Sequence, residues 1–265
     1  MHGEIRRLKA CLNGPRRRDE HPAVPQTPAE LAAAAVAAVA AGAEAVHLHP
    51  RAVTGRESLL AADVGAAVAA VRAACPPVPV GVTTALWVTG DVRARHEQIA
   101  AWAQLDNGAR PDFASVNLSE AGWRPLTGLL AGLGVGAEAG VWSVADADIL
   151  ASQAPGAPWL RILVEISGVA ASDAVTAADA ILARLPGRGQ DRRDEAAAPV
   201  LLHGEDASCW PLIRHAGRLG LATRIGLEDT LTGPGGQPAS DNAALVRFAL
   251  AAWAAGRPGQ AAQTG

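Results

Sequence analysis

Eight short apolar, β-branched runs alternate with eight alanine- and leucine-rich stretches of helical character, and this rhythm constrains the fold more than any other feature. The strand-like runs are 8–12, 45–49, 78–83, 113–117, 134–141, 160–166, 199–203 and 223–227. Helical patterns occupy 28–41, 59–74, 92–105, 125–133, 144–152, 172–185, 209–219 and 240–255. Strands separated by helices pair in parallel through right-handed crossovers. Eight such units in 265 residues match the roughly 250 residues of a (β/α)8 barrel. The sequence therefore predicts an α/β fold, a single-domain (β/α)8 TIM barrel over residues 1–256, with a disordered tail at 257–265. A doubly wound open sheet is the alternative, but no Gly-x-Gly-x-x-Gly follows the first strand to support it.

Local signals agree with these boundaries. Thr27-Pro28-Ala29-Glu30 places Thr at an N-cap, Pro at N1 and Glu at N3. Ser240 precedes the last helix, and Gly220 follows the seventh as a C′ residue. The mixed-charge run 188–197 reads as a solvated loop before the seventh strand.

Charge and composition exclude several classes of function. The formal net charge is −3, from 23 basic and 26 acidic residues, so no basic stripe marks a nucleic-acid surface. Hydrophobic residues make up 49% and charged ones 18%, which gives enough apolar surface for a core and argues against disorder. The N-terminus has no apolar signal region, and the Ala-rich stretch 31–45 falls short of the roughly 20 apolar residues of a membrane span. Cys11, Cys75 and Cys209 have no paired spacing, which fits a reducing compartment. A cytoplasmic protein that does not engage membranes is expected.

In a barrel the chemistry collects at the C-terminal ends of the strands, and the polar residues of this chain gather there. The first strand leads to Arg16 and the second ends in His47-Leu48-His49. The third leads to Thr83, the fourth carries Ser115 and Asn117, and the fifth carries Glu138. Glu165 and Ser167 end the sixth, His203 and Glu205 the seventh, and Arg224-Ile225-Gly226-Leu227-Glu228-Asp229 the eighth. Residues i and i+2 of a strand share a face, so His47 and His49 stand about 6–7 Å apart at Cα and can converge on one metal ion. Glu228 and Asp229 would diverge in a strand. At a strand end one can ligate while the other serves as a base. Arg224 shares the face of Glu228. Glu138, inward on its strand, either lines the site or partners an arginine. Cys11 and the tryptophans are expected to be core, and Arg16–Arg18 a solvated run.

These segments, in order, resemble the β-keto acid cleavage enzyme family, of the 3-keto-5-aminohexanoate cleavage enzyme type. The resemblance rests on Thr27-Pro28-Ala29-Glu30, on Ala41-Gly42-Ala43 leading into His47-Leu48-His49-Pro50-Arg51, and on Pro111-Asp112-Phe113-Ala114-Ser115-Val116-Asn117. It continues in Arg224-Ile225-Gly226-Leu227-Glu228-Asp229-Thr230 and Ala239-Ser240-Asp241-Asn242. It implies a homo-oligomeric, zinc-dependent barrel that converts a β-keto acid and acetyl-CoA to acetoacetate and a new acyl-CoA. It assigns one Zn2+ per chain to His47, His49 and Glu228. Asp229 would be the base, oriented by Arg224, while Thr83, Ser115, Asn117 and Glu138 would face the substrate.

The departures from the family pattern lie on the CoA side. The turn after the third strand is Thr83-Thr84-Ala85-Leu86, a glycine pair is missing from Gly168-Val169-Ala170-Ala171-Ser172, and His203-Gly204-Glu205-Asp206 replaces a Gly-x-Gly-Arg. A metal-dependent barrel lyase or hydrolase without a CoA step is therefore the alternative. Arg16 stands where the aminohexanoate enzyme carries an acid. At the barrel mouth a guanidinium there would favour a neutral or acidic β-keto acid over an amino-substituted one.

Overall fold

A computed structural model describes residues 4–153, 159–185 and 198–258. The strands are β1 Leu8–Cys11, β2 Ala45–Leu48, β3 Val80–Val82, β4 Phe113–Asn117, β5 Gly136–Val141, β6 Trp159–Ile166, β7 Val200–Gly204 and β8 Thr223–Ile225. The helices between and after them are α1 Pro28–Ala40, α2 Ala61–Ala74, α3 Val92–Ala100, α4 Trp123–Gly132, α5 Val144–Ala151, α6 Ala174–Leu182, α7 Cys209–Leu219 and α8 Asn242–Gly256.

All strand pairs are parallel, in the order β7-β6-β5-β4-β3-β2-β1-β8. The two ends of that order meet through a single bridge, Leu201↔Ala222, so the sheet curls into a nearly closed (β/α)8 barrel. The strands are buried along nearly their whole length, as strands covered on both faces are, and apolar residues dominate them between a few buried polar and charged positions such as Lys9, His47, Glu138, Arg161 and Arg224.

Helix starts follow side-chain chemistry. The Thr27 hydroxyl accepts from the Glu30 amide while the Glu30 carboxylate accepts from the Thr27 amide, a complete capping box. Asp91 and Ser143 cap α3 and α5 through one bond each, accepting from the Ala94 and Asp146 amides. The cap of α8 is Asp241, whose Oδ1 accepts from the Ala244 amide at 2.7 Å, in place of the expected Ser240. Gly220 ends α7 with φ +67°, a left-handed conformation that glycine adopts freely. The third expected helix breaks at Ala100 into a 3-10 turn, Ala101–Gln104.

The barrel interior contains an ionic layer. Lys9 of β1 donates to both oxygens of Glu138 of β5 at 2.9 and 2.7 Å, and Arg161 of β6 also donates to that carboxylate. All three are buried, with the Lys9 ammonium 5.4 Å and the Arg161 guanidinium 5.0 Å from the Phe113 ring centre. Phe113 reaches this position because Gly81 has no side chain; a Cβ there would stand 1.9 Å from the ring. The loop expected at 188–197 lies outside the described residues, as does the expected tail beyond Pro258.

Candidate metal centre

His47 is the penultimate residue of β2 and His49 follows the strand, so the i, i+2 spacing places both rings over the barrel mouth. Their centroids lie 5.2 Å apart at an interplanar angle of 79°. Glu228, from the turn after β8, meets them from the other side, with Oε2 3.8 Å from His47 Nε2 and Oε1 3.7 Å from His49 Nε2. The three ligand atoms all lie within 4.8 Å of one another. Gly14 shapes the approach: its φ is +55°, and a Cβ there would come within 2.4 Å of Glu228 Cγ.

The donor set fits a divalent cation. Two imidazoles and a carboxylate leave a coordination position open, as catalytic zinc sites do. Glu228 Oε2 is buried without a hydrogen-bond partner, a costly state unless a cation takes it. Burial first, then His49, Lys9 and Arg224, hold His47 well below the usual histidine range, so its ring is neutral and able to ligate. His49 turns its other nitrogen, Nδ1, to Glu57 Oε1 at 2.5 Å. Burial would raise Glu57, but the hydrogen bond and charge of His49, with the charge of Arg51 and the Trp87 hydrogen bond, together hold the carboxyl below its ordinary range.

Arg224 stands beside this cluster. Its Nε and Nη2 donate to Asp229 Oδ1 at 2.9 and 2.7 Å, and Nη2 also donates to Glu228 Oε1 at 3.0 Å. Asp229 is fully buried, and burial, then Glu228 and Glu205, push it well above the usual carboxylate range against the pull of Arg224. His203 lies below, with Nε2 3.3 Å from Glu165 and Nδ1 3.9 Å from Asp229.

The cluster opens into a cavity of about 490 Å³. Thr83, Ser115, Asn117, His47, His49, Arg224 and Glu228 line it, as do Glu165, Ser167 and Glu205. Burial raises the Glu165 carboxyl, and burial followed by the charge of Glu165 raises that of Glu205. Ser167 donates to Glu205 Oε2 at 2.8 Å.

Three expected residues fall elsewhere. Glu138 faces no cavity; Lys9 and Arg161 enclose it in the ionic layer below, where their charges outweigh the burial that would otherwise raise its carboxyl. Arg16 points to Asp206 and Glu20, at 2.7 and 3.3 Å, while Pro15 takes the cavity side of that loop. Asp229 lies off the cavity lining, against Arg224.

Two tryptophans expected in the core line the cavity instead. Trp87 and Trp142 are 49% and 39% exposed, with ring centroids 6.4 Å apart. Trp102 is core as expected, with its indole N–H donating to the Leu59 carbonyl at 2.9 Å. Glu57, which the sequence reading passed over, accepts from Trp87 Nε1 at 3.3 Å. Only the proximity of Glu57 to the His-x-His pair could have pointed to it.

Fold and site together define a (β/α)8 barrel with polar, ligand-bearing residues gathered at the C-terminal mouth, the arrangement of barrel enzymes. A model of the β-keto acid cleavage enzyme family matches residues 7–150 and 166–261. The chain belongs to that family.

No curated protein sequence matches the chain. Among solved structures it is similar to ObcA in a ternary complex with a C4-CoA adduct and oxalate, at 18% identity and a TM-score of 0.66 over 87% of this chain and 63% of that one. It is similar also to ObcA with oxaloacetate, at 17% identity and a TM-score of 0.64 over 87% and 63%. The chain thus spans less than two thirds of the ObcA chains. A type I 3-dehydroquinate dehydratase from Clostridium difficile matches at 10% identity and a TM-score of 0.60 over 94% of both chains. At these identities the likeness is one of fold.

Proposed function

We propose that the chain is a zinc-dependent enzyme that converts a β-keto acid and acetyl-CoA to acetoacetate and a new acyl-CoA. The observation that carries the reading is the convergence of His47, His49 and Glu228 on the cavity lining beside Arg224, with Asp229 behind it. The similar ObcA is solved with oxaloacetate, itself a β-keto acid, and with a CoA adduct, which supports both substrates.

His47, His49 and Glu228 would hold the ion, one per chain. Zinc there supplies a Lewis acid for the keto oxygen. Thr83 and Ser115 offer hydroxyl donors to the substrate carboxylate, and the Asn117 amide, which donates to Glu120 at 2.9 Å, borders the same wall. Arg224 fixes Glu228 and Asp229 relative to each other. Asp229 is the proton acceptor, and its Oδ2 is without a hydrogen-bond partner. Burial raises its affinity for a proton, the direction that strengthens a carboxylate as a base.

A panel of β-keto acids incubated with acetyl-CoA tests the reading, with mass spectrometry for new acyl-CoA and acetoacetate. Absence of both products across the panel would remove it. A second reading, a metal-dependent lyase or hydrolase without a CoA step, is favoured by Glu165 and Glu205 on the cavity wall, where they would oppose an anionic cosubstrate. The same panel without acetyl-CoA separates the two, because only the second consumes substrate there. The proposal includes a cytoplasmic setting, supported by three buried, unpaired cysteines, and a homo-oligomer, testable by sedimentation. Among the described residues no helix is long and apolar enough to cross a membrane.

A further inference from the structure

Glu57 reaches the centre through a small hairpin that the chain makes directly after β2. Ser58 N donates to the Pro50 carbonyl and Ala52 N to the Arg56 carbonyl, both at 2.9 Å, and Arg51 and Glu57 form an antiparallel bridge. The turn passes through Gly55 at φ +81°, where a side chain would be strained. Doubling back over seven residues returns the chain to His49.

The carboxylate at the end of this hairpin makes two contacts with different parts of the site. Oε1 meets His49 Nδ1 at 2.5 Å, while Oε2 accepts from Trp87 Nε1 at 3.3 Å. His49 Nε2 faces Glu228. An imidazole that gives one nitrogen to a metal carries its proton on the other, and an acceptor for that proton fixes tautomer and ring plane and makes the ligand more basic. The two histidines differ in this respect. His47 Nδ1 is buried and has no partner, so only His49 is held from behind. Trp87 stands on the cavity wall against Trp142.

We propose that Glu57 is a positioning residue that ties metal ligation at His49 to the tryptophan wall of the cavity. The inference rests on the reading of His47, His49 and Glu228 as the metal site. A cation at His49 Nε2 would make the Nδ1 proton a stronger donor to Glu57, and the change would reach the Trp87 indole through the second carboxylate oxygen.

The experiment is a zinc titration of the chelator-stripped, full-length protein, followed by competition with a chromophoric chelator and by tryptophan fluorescence. Wild type, Glu57→Gln, Glu57→Asp and Trp87→Phe are compared. Glu57→Gln is expected to weaken zinc binding by about 10–100-fold and to lose the zinc-induced fluorescence change. Glu57→Asp, which keeps the charge on a shorter stem, is expected to fall between it and wild type. It also serves as the test if the glutamine variant does not fold. Trp87→Phe is expected to retain zinc affinity within a few-fold and to lose the fluorescence change. Equal zinc affinity in wild type and both Glu57 variants would overturn the proposal, as would an undiminished fluorescence response in Trp87→Phe. If wild type binds no zinc, the metal reading itself falls and the proposal with it.

Discussion

Glu228 and Asp229 are adjacent in the chain and opposite in situation. Glu228 turns its unpartnered Oε2 toward His47 and its Oε1 toward His49, whereas Asp229 folds back onto Arg224 and is sealed from solvent. An amide in place of Asp229 keeps the shape and removes the carboxylate proposed as proton acceptor. Asp229→Asn is therefore expected to retain zinc by elemental analysis and to lose about 10²–10⁴-fold in kcat; loss of metal instead would mean that the two carboxylates exchange roles. The His47→Ala, His49→Ala double variant is expected to purify without zinc, and full occupancy in it would remove the metal site. These residues were legible because each pair is local in sequence and the strand period fixes its geometry. The tryptophan wall was not, because Trp87 and Trp142 belong to the loops after β3 and β5 and meet only when the barrel curls. Glu138 shows the same limit from the other side. Its inward direction followed from alternation, but depth along the strand, which decides between pocket and core, depends on Lys9 and Arg161 far away in sequence.

At the scale of the element, α1 was read almost to the residue because its signals are all contained in four positions. Thr27→Ala removes one half of the capping box and is expected to cost about 1 kcal/mol, measured by urea unfolding. Two backbone amides and Arg18 hold Glu30 at about 2, against an ordinary value of 4.5. Its folded-state value lies below its unfolded one, so the stabilisation is complete above about pH 4.5 and disappears as the pH falls toward 2. Glu30→Gln is expected to flatten that part of the stability profile, modestly, since the Glu30 side chain is 40% exposed and its ion pair with Arg18 is screened by solvent. The start of α8 was harder to place, because Ser240 and Asp241 are both good caps. The choice is made by Asn242, whose Oδ1 accepts from the Leu227 amide and whose Nδ2 donates to the Leu12 carbonyl, both at 2.9 Å. Those bonds pull residue 242 into the barrel top and leave residue 241 as the cap, a decision that no local pattern contains.

At the scale of the molecule, the eightfold rhythm determined the topology, and the ionic layer inside it depends on that topology being complete. Glu138→Ala leaves Lys9 and Arg161 buried without their counter-ion. A loss of about 3–5 kcal/mol is expected, seen as a fall in the thermal midpoint of the metal-free protein. Removing zinc should act separately, because a ligand bound at 100 times its Kd adds about 2.7 kcal/mol; a chelator that leaves the melting curve unchanged would argue against a tightly held ion. The closure of the barrel has a different kind of consequence. β5 and β6 share a ladder of five residue pairs, while β7 and β8 are joined at Leu201↔Ala222, by Leu202 N to the Ala222 carbonyl at 2.9 Å, and by Thr223 Oγ1 to the Leu202 carbonyl at 2.8 Å. Fluctuations that break few bonds occur most often, so the ring has one preferred place to breathe. In deuterated water the Leu202 amide should exchange ahead of the buried amides in the β5–β6 ladder. Each opening there parts Glu165 and His203 on one bank from Arg224, Glu228 and Asp229 on the other, so the seam that is slowest to be protected by closure runs directly beneath the chemistry.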